Sequence, residues 1–129
     1  MQLPDGSEVP SVPFANLWLV ARTVMIGCVS VRYHLTPRLL RLGGHLGYEI
    51  RPRYRRLGFG HRALALGIQH AREHGMCDLL LTCDDTNAGS IRIIERAGGV
   101  LWDTIPQPQE PGRSARRYWI KAAGGTGPR

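Results

Sequence analysis

Four arginines and two glycines crowd one short stretch of the chain, from Arg53 through Gly58 and Gly60 to Arg62. It stands between a strand-like run, His45 to Arg51, and a helix-like run, Gly60 to His74. Glycines at alternate positions permit a tight turn with bare backbone N–H groups at a helix start. A helix N-terminus carries about half a positive charge and suits an anion, phosphate above all. Arg53, Arg55, Arg56 and Arg62 are mildly unfavourable there unless something negative is bound. The plain alternative is a solvated basic loop in front of an ordinary helix. Among phosphate-binding loops, the P-loop is excluded, because Gly60 is followed by His61 rather than Lys. The dinucleotide fingerprint G-x-G-x-x-[GA] is met by Gly58, Gly60 and Ala63, with Asp78 downstream. In that fold, however, the first glycine follows its strand directly, whereas here Pro52 to Leu57 intervene. Asp78 would also open the next strand rather than end it.

Other reactive residues have less support. His70 and His74 have the spacing of metal ligands on a helix, but no acidic or cysteine partner matches them and the H-E-x-x-H order is absent. No metal site is expected. Cys83 lies at a strand end with nothing adjacent to lower its pKa, so it reads as packing rather than as a nucleophile. Trp18, Trp102 and Trp119 fall in separate strands and read as core or rim.

The elements that would position these residues follow from periodicity. Met1 to Pro13 is an extended leader, denied regular structure by its prolines and glycine. Leu17 to Arg22 and Val24 to Tyr33 are β-rich and could form a hairpin. Pro37 could open a short helical turn with Leu39, Leu40 and Leu42 inward, ended by Gly43-Gly44. After the strand His45 to Arg51, stopped by Pro52, the residues Leu57, Leu64, Ile68 and Ala71 make the inner stripe of a helix that Gly75 terminates. Cys77 to Thr82 reads as a central parallel strand buried on both faces. Asp84 to Asn87 offers caps for a second helix with Ile91, Ile94 and Ala97 inside. Val100 to Ile105 and Arg116 to Ala122 are closing strands, joined by a Pro/Gln/Gly-rich loop.

Length and composition set the outer bounds. At 129 residues the chain is long enough for one domain. Its formal charge of +7 comes almost wholly from arginine and suits anionic partners, either phosphate-bearing cofactors or nucleic acid. The arginine clusters lack the interleaved aromatics of an RNA-stacking surface. Cys28, Cys77 and Cys83 are odd in number and fall in apolar runs, which favours reduced, buried thiols in the cytosol. No apolar run approaches the ~20 residues of a membrane span, and the first residues hold no signal-peptide core.

Beside the two loops already weighed, Arg55, Gly58 and Gly60 match in register the [RQ]-x-x-G-x-[GA] loop of the GNAT family of N-acetyltransferases. His45 to Pro52 resembles that family's fourth strand; Asn87-Ala88-Gly89-Ser90 and Ala97-Gly98-Gly99 resemble its second cofactor motif. The similarity runs from about Leu17 to Ala122. It is strongest to a bacterial branch with a G-G-H-x-G-Y-x-I-R-P strand, here Gly43 to Pro52, and an L-x-T-C-D-x-x-N stretch, here ending at Asn87. The resemblance implies an α/β (α+β) fold with a mixed sheet: an antiparallel first half, a central parallel βαβ unit and a closing strand pair. The implied division is a leader (1–16), a GNAT-like domain (17–122) and a disordered tail (123–129). It also implies that the strand and two helices which family members carry ahead of Leu17 are missing here, as in an N-terminally truncated member. Those helices form one wall of the acceptor site. Without them Leu17 to Val20 would be a bare sheet edge, and the chain is expected to dimerise or aggregate through it.

The roles implied are as follows. The strand at Ile50 and Arg51 offers backbone hydrogen bonds to the pantetheine arm of acetyl-CoA. Arg55, Arg56, Leu57, Gly58, Phe59 and Gly60 cradle its pyrophosphate, mainly through backbone N–H groups. Asn87 either reaches the cofactor arm or only caps its helix. Glu49, His45 and Tyr48 lie on the strand beside the thioester, with Glu49 ahead of His45 as catalytic base. The family often places an acid, tyrosine, seven residues after the asparagine; that position is Ile94 here, a departure that removes the usual acid. The expected activity is acetyl transfer from acetyl-CoA to a primary amine of a small molecule or protein, in the cytoplasm. The alternatives are a non-catalytic acyl-CoA-binding module and a basic nucleic-acid-binding domain.

Overall fold

The computed structural model describes residues 14–107 and 110–122. Six strands form one sheet in the order β1-β2-β3-β4-β6-β5. They are β1 Phe14–Ala21, β2 Val24–Arg32, β3 Leu46–Ile50, β4 Asp78–Asp84, β5 Val100–Pro106 and β6 Ser114–Lys121. Three helices connect them: α1 Pro37–Arg41, α2 Phe59–Glu73 and α3 Ala88–Arg96. β1, β2 and β3 are antiparallel neighbours, β3 and β4 run parallel across α2, and β4, β6 and β5 are antiparallel again. This is the mixed α/β sheet expected from the sequence. β1 starts at Phe14, ahead of the expected Leu17, because Phe14, Ala15 and Asn16 extend its pairing with Arg32, Val31 and Ser30. The expected tail and most of the expected leader lie outside the described residues.

The core is built on β4. Leu79, Leu80 and Leu81 are consecutive and at most 1% exposed, which requires cover on both faces of the sheet. On one face α2 and α3 bury Leu64, Ala71 and Ile94 against Leu79, Leu81, Tyr118 and Ile120. A second cluster, Ile26, Val29, Ile50 and Ala63, lies beneath the start of α2. Two residues expected inside are outside: Leu57 precedes α2 and is 65% exposed, and Ala97 follows α3 and is exposed. On the opposite face, the segment between α1 and β3 lies against β4, where Gly44 approaches Leu80 and Gly43 N–H donates to Thr82 Oγ1. Thr36 caps α1 by accepting from Leu39 N–H, and Pro37 opens it as expected. Leu40 is exposed, not packed inward, although its carbonyl accepts from Arg117. The β1–β2 part of this face stays bare, with Phe14 and Trp18 each 57% exposed. Trp102 is exposed as well, so only Trp119 of the three tryptophans is partly covered.

None of the three cysteines is in a disulfide; Cys28 and Cys83 are half-buried, whereas Cys77 is exposed, contrary to expectation, because it precedes β4 at the sheet's rim. Among the described residues, no helix is long and apolar enough to cross a membrane.

Gly44 marks where the chain passes closest to β4. Its φ is +64°, and a Cβ there would lie 2.2 Å from the Leu80 carbonyl oxygen. A side chain meets left-handed strain and a backbone atom that cannot swing away. Gly44→Ala should therefore lower unfolding stability in urea by more than about 2 kcal/mol. A variant as stable as the parent would show that this contact is relaxed in solution.

Candidate functional site

β3 and β4 are joined at a single register pair, Leu46 with Leu81, and part beyond it. The join is fastened from the side of β3. His45 N–H donates to the Leu80 carbonyl at 2.7 Å, and Leu80 N–H donates back to His45 Nδ1 at 2.9 Å. Gly43 N–H donates to Thr82 Oγ1 at 3.0 Å, and the Arg32 guanidinium donates to the carbonyls of Gly43 and Gly44.

Past the join, strand parity decides what faces the gap. Arg32 N–H donates to His45 O, and Arg51 N–H donates to Ile26 O. The odd positions of β3 therefore turn their main chain to β2, and Tyr48 and Ile50 turn theirs toward the gap. The Ile50 carbonyl is taken by Arg55 Nε at 2.9 Å. Tyr48 N–H and C=O and Ile50 N–H remain directed at the gap. Arg51 does not share this exposure: its N–H is committed to β2 and its guanidinium to Met25 O.

The basic loop follows at once. A short 3-10 turn, Pro52–Tyr54, leads to Arg56 at φ +64° and Gly58 at φ +86°. Left-handed residues on either side of Leu57 fold the loop into the kind of concavity that gathers main-chain N–H groups around an anion. Gly58 caps α2 without any side-chain bond, so the first turn, Phe59, Gly60 and His61, presents N–H groups the helix cannot satisfy itself. A Cβ on Gly58 would meet nothing within 4 Å, whereas a Cβ on Gly60 would lie 2.6 Å from Ile93 Cδ1. Gly58 thus belongs to the open cradle. Gly60 is buried, and its lack of a side chain lets α2 pack on α3. Phe59 is half-buried, edge-on to Tyr54, and Arg62 lies over its ring.

Asn87 caps α3, with Oδ1 accepting from Ser90 N–H at 3.1 Å. The first turn of α3 also supplies a residue that the sequence did not single out. Tyr48 Oη and Ser90 Oγ are hydrogen-bonded at 2.8 Å across the gap. Burial raises the Tyr48 pKa, so the phenol stays protonated near neutral pH. Cys83 lies beside this pair; burial raises its pKa too, while Arg116 and Ser90 oppose that, and the thiol is no activated nucleophile. Ile94, at the position of the family's usual acid, is 1% exposed.

Glu49 is exposed on the opposite face from Tyr48, level with Cys28 of β2. His45, the other candidate base, has its Nδ1 occupied by Leu80 N–H, so a neutral ring carries its proton on Nε2. Burial, and then His34, lower its pKa. His70 and His74 are also engaged: His70 Nε2 with Tyr33 Oη at 2.6 Å, His74 Nδ1 with His70 O at 2.8 Å. Among the described residues, no three His, Cys, Asp or Glu side chains are placed to hold a metal.

The sequence profile of the acetyltransferase (GNAT) domain matches residues 8–100. No protein of curated function matches the sequence. Similar folds occur among solved structures. The ribosomal-protein-alanine N-acetyltransferase of Brucella melitensis superposes with a TM-score of 0.71 at 21% identity, over 84% of this chain and 68% of that one. The ribosomal-protein-S18-alanine N-acetyltransferase of Escherichia coli gives 0.66 at 18%, over 85% and 70%. An acetyltransferase of Salmonella typhimurium, solved with its cofactor acetyl-CoA, gives 0.64 at 18%, over 82% and 63%. The chain thus spans 63% of the length of the Salmonella enzyme and no more than 70% of the other two.

The clamp at the join predicts a pH dependence. The folded state holds His45 neutral, so its pKa lies below the ordinary 6.5 and the unfolded chain binds the proton more tightly. The stability it contributes is complete above that ordinary value and is lost as pH falls through the lower, folded one. Asparagine can still accept from Leu80 N–H but does not titrate. The parent's stability advantage over His45→Asn should therefore shrink between about pH 7.5 and about pH 5 in urea unfolding. An advantage that stays constant over that range would mean His45 is not held neutral.

Proposed function

Since the chain belongs to the GNAT acetyltransferase family, matched over residues 8–100, we propose that it transfers the acetyl group of acetyl-CoA to a primary amine of a small molecule or a protein. One observation carries the reading: the gap between β3 and β4 opens beside a helix start whose N–H groups have no side-chain cap. A phosphate-bearing carrier with an extended amide arm fits these two features. Phosphate suits the N-terminus of α2 and the Arg56–Gly58 concavity. The amide arm suits the main-chain groups of Tyr48 and Ile50, in the manner of an added strand. Asn87 caps the helix that carries Ser90, and its Oδ1 cap bond leaves the amide N–H groups for the arm.

Acetyl-CoA supplies an activated thioester. The chain's residues handle the deprotonation of the acceptor and the departure of the thiolate from opposite faces of the sheet. Glu49, exposed on the helix-free face, takes the proton that the ammonium form of the acceptor must lose before its nitrogen can attack. Ser90, backed by Tyr48 on the helix face, donates a hydrogen bond to the departing thiolate, the task Ile94 cannot perform. His45 serves the site by position, fixing where the gap begins. A non-catalytic acyl-CoA-binding module is the second reading, favoured by the burial of Ile94; turnover separates the two.

Two expectations follow. In calorimetric titration acetyl-CoA should bind and NAD should not. Gly58→Val should weaken acetyl-CoA at least about tenfold by forcing a branched residue into left-handed backbone, while Arg55→Ala, which frees the Ile50 carbonyl and removes a charge, should weaken it by about 1–3 kcal/mol. Unchanged affinity in a folded Gly58→Val protein would place the phosphate elsewhere. In steady-state kinetics, Glu49→Gln should lower kcat at least about 100-fold at neutral pH, and Ser90→Ala should lower kcat about 10–100-fold with little change in KM. An undiminished rate in Glu49→Gln would leave water-mediated deprotonation in its place.

A further inference from the structure

Beside the helix face of the gap stands a cation, Arg116. It is directly opposite Cys83 in the antiparallel β4–β6 ladder. Residues so opposed share a face of the sheet, with Cβ atoms about 4.5–5.5 Å apart. The shared face is the helix side, since Cys83 packs on the cluster that holds Leu81, Ile94 and Tyr118. Cys83 in turn adjoins Ser90, whose hydroxyl meets Tyr48 Oη at 2.8 Å. The guanidinium is fixed at two points: Nε donates to Asp85 Oδ1 at 2.6 Å, and Nη1 to Tyr118 Oη at 3.2 Å. Tyr118 Oη donates onward to Glu95 Oε2 at 3.1 Å. Nη2 has no partner among the described residues and keeps both of its N–H donors free. The Cys83 thiol registers the field at this place. Burial raises its pKa; Arg116 opposes that most strongly and Ser90 less, while Asp84 and Asp85 add to the rise. A sulfur anion placed beside Ser90 would meet the same neighbours.

We propose that Arg116 stabilises the thiolate that leaves acetyl-CoA, supplying the positive charge that the neutral hydroxyls of Ser90 and Tyr48 lack. This role rests on the acetyl-transfer reading of the gap. Once Glu49 has taken one proton from the ammonium, the neutral nitrogen bonds to the thioester carbonyl carbon. The C–S bond then breaks and its electron pair stays on sulfur. The attacking nitrogen sheds a second proton as the amide forms, and that proton ends on the thiolate, giving the amide and the free thiol. Between bond breaking and that last transfer, sulfur carries a full negative charge in a half-buried place. Ser90 gives it a hydrogen bond but no net charge. An opposite charge within about 4–6 Å favours an ionised group by about 1 to 3 in pKa. Arginine suits the task because its charge does not titrate. Asp85 plays two parts: it holds the guanidinium in place and offsets part of its charge.

The test follows the thiol of CoA bound to the full chain, read from the ultraviolet absorption of its thiolate against pH in a Cys83→Ala background, with the spectrum of the protein alone subtracted. Arg116→Gln should raise the pKa of the bound thiol by about 1. In the matching kinetics it should lower kcat about tenfold with the KM for acetyl-CoA little changed. Arg116→Lys should recover most of both. Asp85→Asn, at an exposed position, breaks the same ion pair but leaves the guanidinium. It should move the bound thiol the other way, to a lower pKa, with kcat at least that of the parent. A pair that merely tied the end of β4 to β6 would make both variants act in one direction, so the sign for Asp85→Asn decides the matter even where Arg116→Gln unfolds. Shifts of the same sign in the two variants, or CoA that binds with an unchanged thiol pKa in a folded Arg116→Gln protein, overturn this role alone. A parent that binds no CoA overturns the acetyl-transfer reading and this role with it.

Discussion

Everything of consequence at the candidate site depends on two parallel strands being tied at one point and nowhere beyond it. The tie is dense: His45 and Leu80 exchange two hydrogen bonds, Thr82 holds Gly43, and Gly44 rests on the Leu80 carbonyl. Past it, β3 carries main-chain donors and acceptors with no strand to receive them. Backbone groups in a sheet interior cannot stay unpaired without a free-energy penalty, so the opening has to be filled by water or a ligand. Parity then sorts the side chains: Tyr48 goes to the helix face and Glu49 to the other, which puts a phenol and a carboxylate on opposite sides of one strand.

The basic charge of the chain has two uses. Part of it is spent inside the architecture. Arg32, Arg51, Arg55 and Arg117 each donate to main-chain carbonyls, and Arg116 and Arg117 pair with Asp85 and Asp103. Asp84, at the end of β4, is bonded by Thr86 and Gln107 and lies near Arg113, and these hold its pKa at about 2. The fan of N–H donors on a guanidinium suits such multiple anchoring, which lysine cannot reproduce. Arg53, Arg56 and Arg62 remain exposed around the start of α2, where an anion would meet them.

Much of this was legible in the sequence. The βαβ unit, the three leucines of β4 and the Pro37 and Asn87 helix starts follow from local signals, and local signals placed the glycine loop between its strand and helix. What stayed hidden needed a partner. Gly58 and Gly60 look alike in sequence, yet one is chosen for its φ and the other for the Ile93 methyl group beside it. Which of Glu49, Ile50 and Arg51 faces the gap depends on the register against β2. The Tyr48–Ser90 bond joins residues 42 positions apart, beyond any local pattern. Phe14 to Asn16 read as a leader because nothing in them shows that Ser30 to Arg32 will pair with them.

The absence of a side chain at Gly60 has a dimensional consequence. With Ile93 seated directly on α2, the two helices cannot slide past each other without a collision, so the start of α2 and Ser90 form one rigid jig. If a carrier's phosphates rest on the first and its sulfur must reach the second, the gap works as a ruler. A carrier is then sorted by the length of its arm before any feature of its acyl group is felt. A stub too short leaves its sulfur shy of Ser90, and one too long has to buckle between β3 and β4.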